Sequence, residues 1–275
     1  MPRALARPDT TLPSEPGAGY RWGVEVLSGA DLDPYKVPAV SACWWCGSPG
    51  PLTREHKFKK SDLSRMWDLS GGLVWGDDVR QREVKSVRKT QDVRFEPSLC
   101  ARCNNERSQP FDEAYRSFSE YVWDRPELRR ARYIDMASIY GTDWSMRVLD
   151  LARYVAKHIG CRLAHERYPI PSSLKLFLDG APTMPDVHMV LFKSRDHYEL
   201  YTKGVRDGVE ARGLWISPSL GGVSPSRQQL TLYSSALIVN FIGIFYRWED
   251  GCQSTDPFYV YRRARLHWRH KLPVA

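Results

Sequence analysis

Cys43-Trp44-Trp45-Cys46 and Cys100-Ala101-Arg102-Cys103 are two C-x-x-C pairs, and between them runs Leu52-Thr53-Arg54-Glu55-His56-Lys57-Phe58. Each pair sets two sulfurs on one tight knuckle. Two knuckles together supply the four thiolates of a tetrahedral zinc site, with Zn–S bonds of about 2.3 Å. The second pair continues at once into Asn104-Asn105. A Glu-His dipeptide and an asparagine tethered to one metal knot can then hold a second, catalytic cation. The stretch 47–99 is longer than a simple zinc ribbon, so an insertion is expected there. Neither pair has a thioredoxin-like context, which argues against redox chemistry.

Outward from the motif, composition bounds the answer. The 275 residues include 40 Lys and Arg against 32 Asp and Glu, a formal net charge of +8. That excess favours a polyanion such as nucleic acid without specifying it. The length suffices for one large domain or two ordinary ones with a core that needs no disulfides. Six cysteines are too few for a secreted disulfide scaffold, and their spacing points to metal. Residues 1–19 are rich in Pro, Arg, Ala and Gly, lack the apolar centre of a secretory signal, and are expected to form a disordered leader. The longest apolar stretch, 236–246, is too short to span a bilayer and reads as one buried strand. No membrane partner is expected, and the expected compartment is the cytoplasm.

The expected fold class is α+β. Residues 20–168 carry the motif and a helical extension, and 169–275 form a strand-rich C-terminal module of unassigned role. One strand is expected around 22–27. A short helix over 61–67 is capped by Ser61 and broken at Gly71-Gly72. Helix starts near Cys100, with Pro110 suited to a first helical position. Phe111, Ala114, Tyr115, Phe118 and Val122 recur at helical spacing as one buried stripe. Helical pattern continues through 128–137 and 144–163. Strand-like runs follow at 187–193, 199–205, 213–217, 230–239 and 258–266. Cys161 and Cys252 are expected as ordinary buried thiols, and the histidines other than His56 show no ligand spacing.

Hydrolysing a phosphodiester needs a nucleophilic water, charge neutralisation at the phosphate and stabilisation of the leaving oxygen. A neutral imidazole, His56, can take the proton from water. The Glu55 carboxylate and the Asn104 amide oxygen suit Mg2+ or Mn2+ rather than zinc. Adjacent side chains on a strand point to opposite sides, so Glu55 and His56 need a bend to serve one site.

C-x-x-C, then acid-His, then C-x-x-C-N resembles the HNH (ββα-metal) endonuclease superfamily, in its zinc-anchored branch typified by phage recombination endonuclease VII. The resemblance covers roughly residues 40–123. It implies a ββα-metal core, with His56 as general base, Glu55 and Asn104 as ligands of a catalytic Mg2+ or Mn2+, and Cys43, Cys46, Cys100 and Cys103 around a structural zinc. The implied substrate is DNA, with RNA left open, and the implied settings are phage defence, restriction or a mobile element. Two features depart from the family pattern. The acid is Glu where Asp is commoner, and no Asn lies between residues 57 and 99. Another polar group must brace the His loop, Asp92 and Ser98 being the candidates.

Two basic segments are candidate nucleic-acid contacts. Lys85, Arg88 and Lys89 lie in the insertion. Arg262, Arg263 and Arg265 alternate with Tyr259, Tyr261 and Trp268 near the C-terminus, a pattern that can hold phosphates and stack bases. The bland alternatives are a solvated loop for the first and an aggregation-resistant basic edge strand for the second. A non-catalytic, zinc-stabilised nucleic-acid-binding protein stays open as the alternative function. A zinc nucleobase deaminase requires H-x-E and P-C-x-x-C. Here Glu precedes His without a gap and Ser98-Leu99 precedes Cys100.

Overall fold

The structure, a computed structural model, describes residues 25–70, 73–76, 81–84, 90–209, 212–224, 226 and 228–269. The expected leader, the basic run Lys85, Arg88 and Lys89, and the Gly71-Gly72 break lie outside them. The architecture is α+β, with a four-cysteine cluster, a helical middle and a strand-rich C-terminal sheet.

Strand β1 (Glu25–Ser28) precedes the motif. Strand β2 (Leu52–Thr53) is followed by helix α1 (Lys60–Ser70) and by a hairpin of β3 (Leu73–Gly76) and β4 (Gln81–Val84), which together form the insertion. Strand β5 (Leu99–Cys100) then returns antiparallel to β2. The pairing continues past the formal strands. The Phe95 N–H donates to the Glu55 carbonyl at 2.8 Å, the Lys57 N–H donates to the Val93 carbonyl at 2.8 Å, and His56 bridges to Arg94. Residues 52–57 and 93–100 are thus one two-stranded ribbon. A π-helical turn, Arg102–Arg107, leads from it into α2 (Gln109–Trp123), which has Pro110 in its first turn. Phe111, Ala114, Tyr115, Phe118 and Val122 are all buried on α2, as their spacing predicts.

Strand β6 (Tyr133–Asp135) and the short helix α3 (Ala137–Tyr140) replace the helix expected over 128–137. β6 finds a partner far along the chain, which outweighs local propensity. Helix α4 (Trp144–Glu166) has every residue from 154 to 164 buried. A helix covered all round runs through the interior rather than over it, and it carries Lys157, His158 and Arg162 inward. Helix α5 (Ser172–Leu178) packs beside it.

Strands β7 (Val187–Ser194), β8 (Leu214–Ile216), β9 (Leu220–Ser224), β10 (Gln229–Val239) and β11 (Ile242–Glu249) make up most of the sheet. Its order is β1-β9-β10-β11-β7, with β8 also on β10. Helix α6 (Arg195–Asp207) occupies the segment 199–205 expected as strand. Ser194 caps it, its Oγ accepting from the His197 N–H, and Gly208 at φ +71° ends it. The stretch 236–246 is two strands rather than one. It turns at Asn240, whose φ of +56° an asparagine tolerates and whose side chain donates to the Trp123 carbonyl at 3.0 Å. From Leu230 to Val239 β10 is buried on both faces, so Thr231, Ser234 and Ser235 are enclosed along with its apolar residues. Past β11, β12 (Arg263–Arg265) pairs with β6, and β13 (His267–Arg269) joins the sheet edge parallel to β7. Phe258–Val260 is a helical turn, not the start of the expected strand.

One hydrophobic cluster holds residues from the cysteine pairs, α2, α4 and the sheet, so the motif is supported from behind by the C-terminal strands. Among the described residues no helix is long and apolar enough to cross a membrane.

Candidate metal centre and active site

Gly47 at φ +75° lets the first knuckle close. Its N–H donates to the Cys43 carbonyl at 2.8 Å, and the Cys43 N–H donates to Ser48 at 2.9 Å. The second knuckle lies at the joint between β5 and the π-helical turn. The Trp44 N–H donates to the Ser98 carbonyl at 3.1 Å and holds the two knuckles together. The four Sγ atoms come within 4.8 Å of one another, with Cys46 and Cys100 3.7 Å apart. Zn–S bonds of about 2.3 Å in a tetrahedron require an edge of about 3.8 Å. Burial pushes the Cys43 and Cys103 thiols up, whereas the Ser48 backbone N–H pulls Cys46 down to about 7. Four crowded sulfurs of this kind fit a zinc ion, which supplies the positive charge that buried thiolates lack. Arg107 adds an outer contact: it donates to Cys103 Sγ at 3.5 Å, lies 4.1 Å over the Trp45 ring and pairs with Asp179.

The ribbon and helix mounted on this cluster carry the three residues expected to be catalytic. His56 lies among cations. Burial first, then Arg94, Lys60, Lys59 and Lys157, lower its pKa to about 4, so the imidazole is neutral at neutral pH. Asn104 is 8% exposed, and its Nδ2 donates to Thr53 Oγ1 at 3.1 Å. Its Oδ1 has no hydrogen-bond partner among the described residues. An orphaned buried amide oxygen calls for an explanation, and a cation ligand is one.

Glu55 turns inward. Its Oε1 lies 3.3 Å from Nζ of Lys157, which is 1% exposed. The same ammonium lies 3.3 Å from Asp112 Oδ1 and 3.2 Å from Ser108 Oγ, and Ser108 donates back to the Asn104 carbonyl at 2.8 Å. Lys59 shares that oxygen, its Nζ lying 2.9 Å from Asp112 Oδ1. Burial raises the Glu55 carboxyl pKa while Lys157 opposes it. The Lys157 pKa is raised despite burial, because Glu55 and Asp112 outweigh the loss of solvent. Glu55 and Asn104 are therefore linked through Lys157 and Ser108.

Of the two residues expected to brace the His loop, Asp92 is engaged by Arg82 and Thr90, and Ser98 is buried against the Cys161 thiol. The brace comes instead from α4, where His158 Nε2 lies 3.0 Å from the Lys57 carbonyl. Lys157, His158 and Asp112 were missed from the sequence. The available signal was a Lys-His pair, with Arg162, inside an otherwise apolar helical run. Cys161 is a buried thiol as expected, whereas Cys252 is half-buried.

The C-terminal basic residues lie on and beside the β6–β12 ribbon. Arg262, Arg263 and Arg265 are exposed, Arg262 reaches Asp135 at 3.1 Å, and Arg263 lies 4.9 Å over the Tyr133 ring. Tyr259 is buried in the core and Tyr261 donates to Asp256. Among the described residues the four cysteines are the one group of His, Cys, Asp and Glu side chains placed to hold a metal. No protein-family model, curated protein or solved structure matches this chain.

Proposed function

We propose that this chain is an HNH-type endonuclease hydrolysing phosphodiester bonds in DNA. What carries the reading is one arrangement: a cysteine-stapled strand–strand–helix unit that bears a neutral histidine among cations and, on the first helical turn, a buried amide oxygen with no partner among the described residues. His56 takes a proton from water as the water oxygen attacks phosphorus, and the leaving oxygen departs with the P–O bond and is protonated from solvent. Arg94, Lys60 and Lys59 favour an anionic backbone at this edge. Glu55 and Asn104 would hold the catalytic Mg2+ or Mn2+, which neutralises charge at the phosphate and leaving group when bound. Asn104 fits that role through its unpartnered oxygen, and Glu55 fits it while sharing one oxygen with Lys157.

That shared oxygen also favours a second reading, a non-catalytic nucleic-acid-binding protein in which Glu55 serves only the core. The test is cleavage of plasmid, branched DNA and RNA with and without Mg2+ or Mn2+. Under the nuclease reading, His56→Ala loses cleavage by at least about a hundredfold and keeps zinc, fold and DNA affinity. Glu55→Gln and Asn104→Ala also require more divalent metal. Cleavage by His56→Ala at the wild-type rate would overturn it.

A further inference from the structure

The charges around Glu55 balance before any divalent ion arrives. Two carboxylates, Glu55 and Asp112, meet two ammonium groups, Lys157 and Lys59, at separations of 2.9 to 3.3 Å. Asn104 adds no charge. Sites that bind Mg2+ or Mn2+ strongly do so with uncompensated carboxylates. Here the nearest carboxylate is already matched by an ammonium that cannot swing away, because Lys157 is 1% exposed and held by three oxygens on two other elements. A second positive charge at Glu55 is therefore repelled unless a new anion comes with it. A nucleic-acid phosphate is such an anion, and the positive charges of Arg94 and Lys60, both of which act on His56, favour one beside it.

We propose that Lys157 is a positioning residue that makes divalent-metal binding conditional on nucleic acid: the free protein binds the cation weakly, and a bound phosphate backbone completes the site. The proposal rests on the nuclease reading, since it takes Glu55 and Asn104 as the ligands. It differs from a purely structural role for Lys157 in the sign of its consequence. A lysine that merely braced Glu55 would, on removal, loosen the metal site. A lysine that repels the metal would, on removal, tighten it. The coupling is reciprocal, so the cation strengthens DNA binding by the same factor by which DNA strengthens cation binding.

The experiment titrates Mn2+ into zinc-loaded protein, reading free Mn2+ by electron paramagnetic resonance. It is done alone and with a short duplex carrying cleavage-resistant phosphorothioate linkages, after subtracting ions bound by the duplex. Wild-type protein should bind Mn2+ at least about tenfold more tightly with the duplex than without it. Free Lys157→Gln should bind Mn2+ at least about tenfold more tightly than free wild type, and Lys157→Arg, which keeps the charge, should stay with wild type. Equal wild-type affinity with and without duplex overturns the inference, and this arm decides even if Lys157→Gln fails to fold. Weaker Mn2+ binding by a folded Lys157→Gln also overturns it. Cleavage of unmodified DNA alongside either of these results leaves the nuclease reading standing, whereas no Mn2+ binding in any arm defeats both.

Discussion

Gly160 of α4 lies directly under the indole of Trp44, and a Cβ at position 160 would come within 2.3 Å of two ring atoms. Trp44 sits between two of the cysteines, so this contact is where the metal knot docks on the central helix. Glycine inside a helix costs about 1 kcal/mol relative to alanine. The close approach is what that cost allows.

Gly160→Ala should therefore destabilise the protein by about 1–3 kcal/mol, against the gain that helix propensity alone would give. Urea denaturation of zinc-loaded protein measures it. A more stable variant would mean that Trp44 can move aside freely.

One zinc per chain is expected, and chelation should unfold the ribbon and its helix, because the four sulfurs join the first knuckle, β5 and the π-helical turn. Cys103→Ser should lose metal and solubility. Arg107→Met should weaken zinc by about tenfold with the fold retained, since Arg107 contacts the sulfur from outside the ligand shell. Metal analysis and competition with a chromogenic chelator provide the numbers, and folded protein devoid of zinc would sink the assignment.

His158 links acidity to stability. The Lys57 carbonyl can only accept, so Nε2 carries the proton, and Nδ1 is buried without a partner among the described residues. Burial first, then Arg162, depresses its pKa to about 3, whereas the unfolded chain titrates near 6.5. Below that pH the unfolded state takes up a proton that the folded state refuses, so stability falls as pH falls. The loss should reach about 2 kcal/mol at pH 5, as an order of magnitude. His158→Gln should remove that share of the dependence and leave the shares of His56 and His197, whose pKa values burial also lowers to about 4. Urea midpoints measured from pH 7.5 down to 5 for both proteins decide it, and parallel curves would refute the assignment.

On the β6–β12 ribbon, Arg262 is committed to Asp135 while Arg263 and Arg265 face solvent. If the ribbon follows the DNA backbone, Arg263→Gln with Arg265→Gln should lower the salt slope of duplex binding by about two units. An unchanged slope would assign both arginines to protecting an edge.

The clustering of the four cysteines, the buried stripe of α2, most of α4 and four of the five C-terminal strand runs, in whole or part, were legible in the sequence. Each depends on spacing along the chain: C-x-x-C closes a knuckle within a few residues, and the helical period marks a buried face. Residues 199–205 are helix rather than the expected strand because the Ser194 cap starts α6 just upstream of them. Residues 128–137 failed for a different reason: β6 exists only because β12 pairs with it from the far end of the chain. The surroundings of Glu55 and His56 were likewise beyond local reading. Glu55 meets Lys157, Lys57 meets His158 and Trp44 meets Gly160 across about a hundred residues or more. The sequence by itself determined which residues could bind metal and carry a proton. Whether Glu55 faces a cation already, and whether His56 is neutral, was decided only by tertiary packing, because charge compensation and desolvation depend on which elements come together.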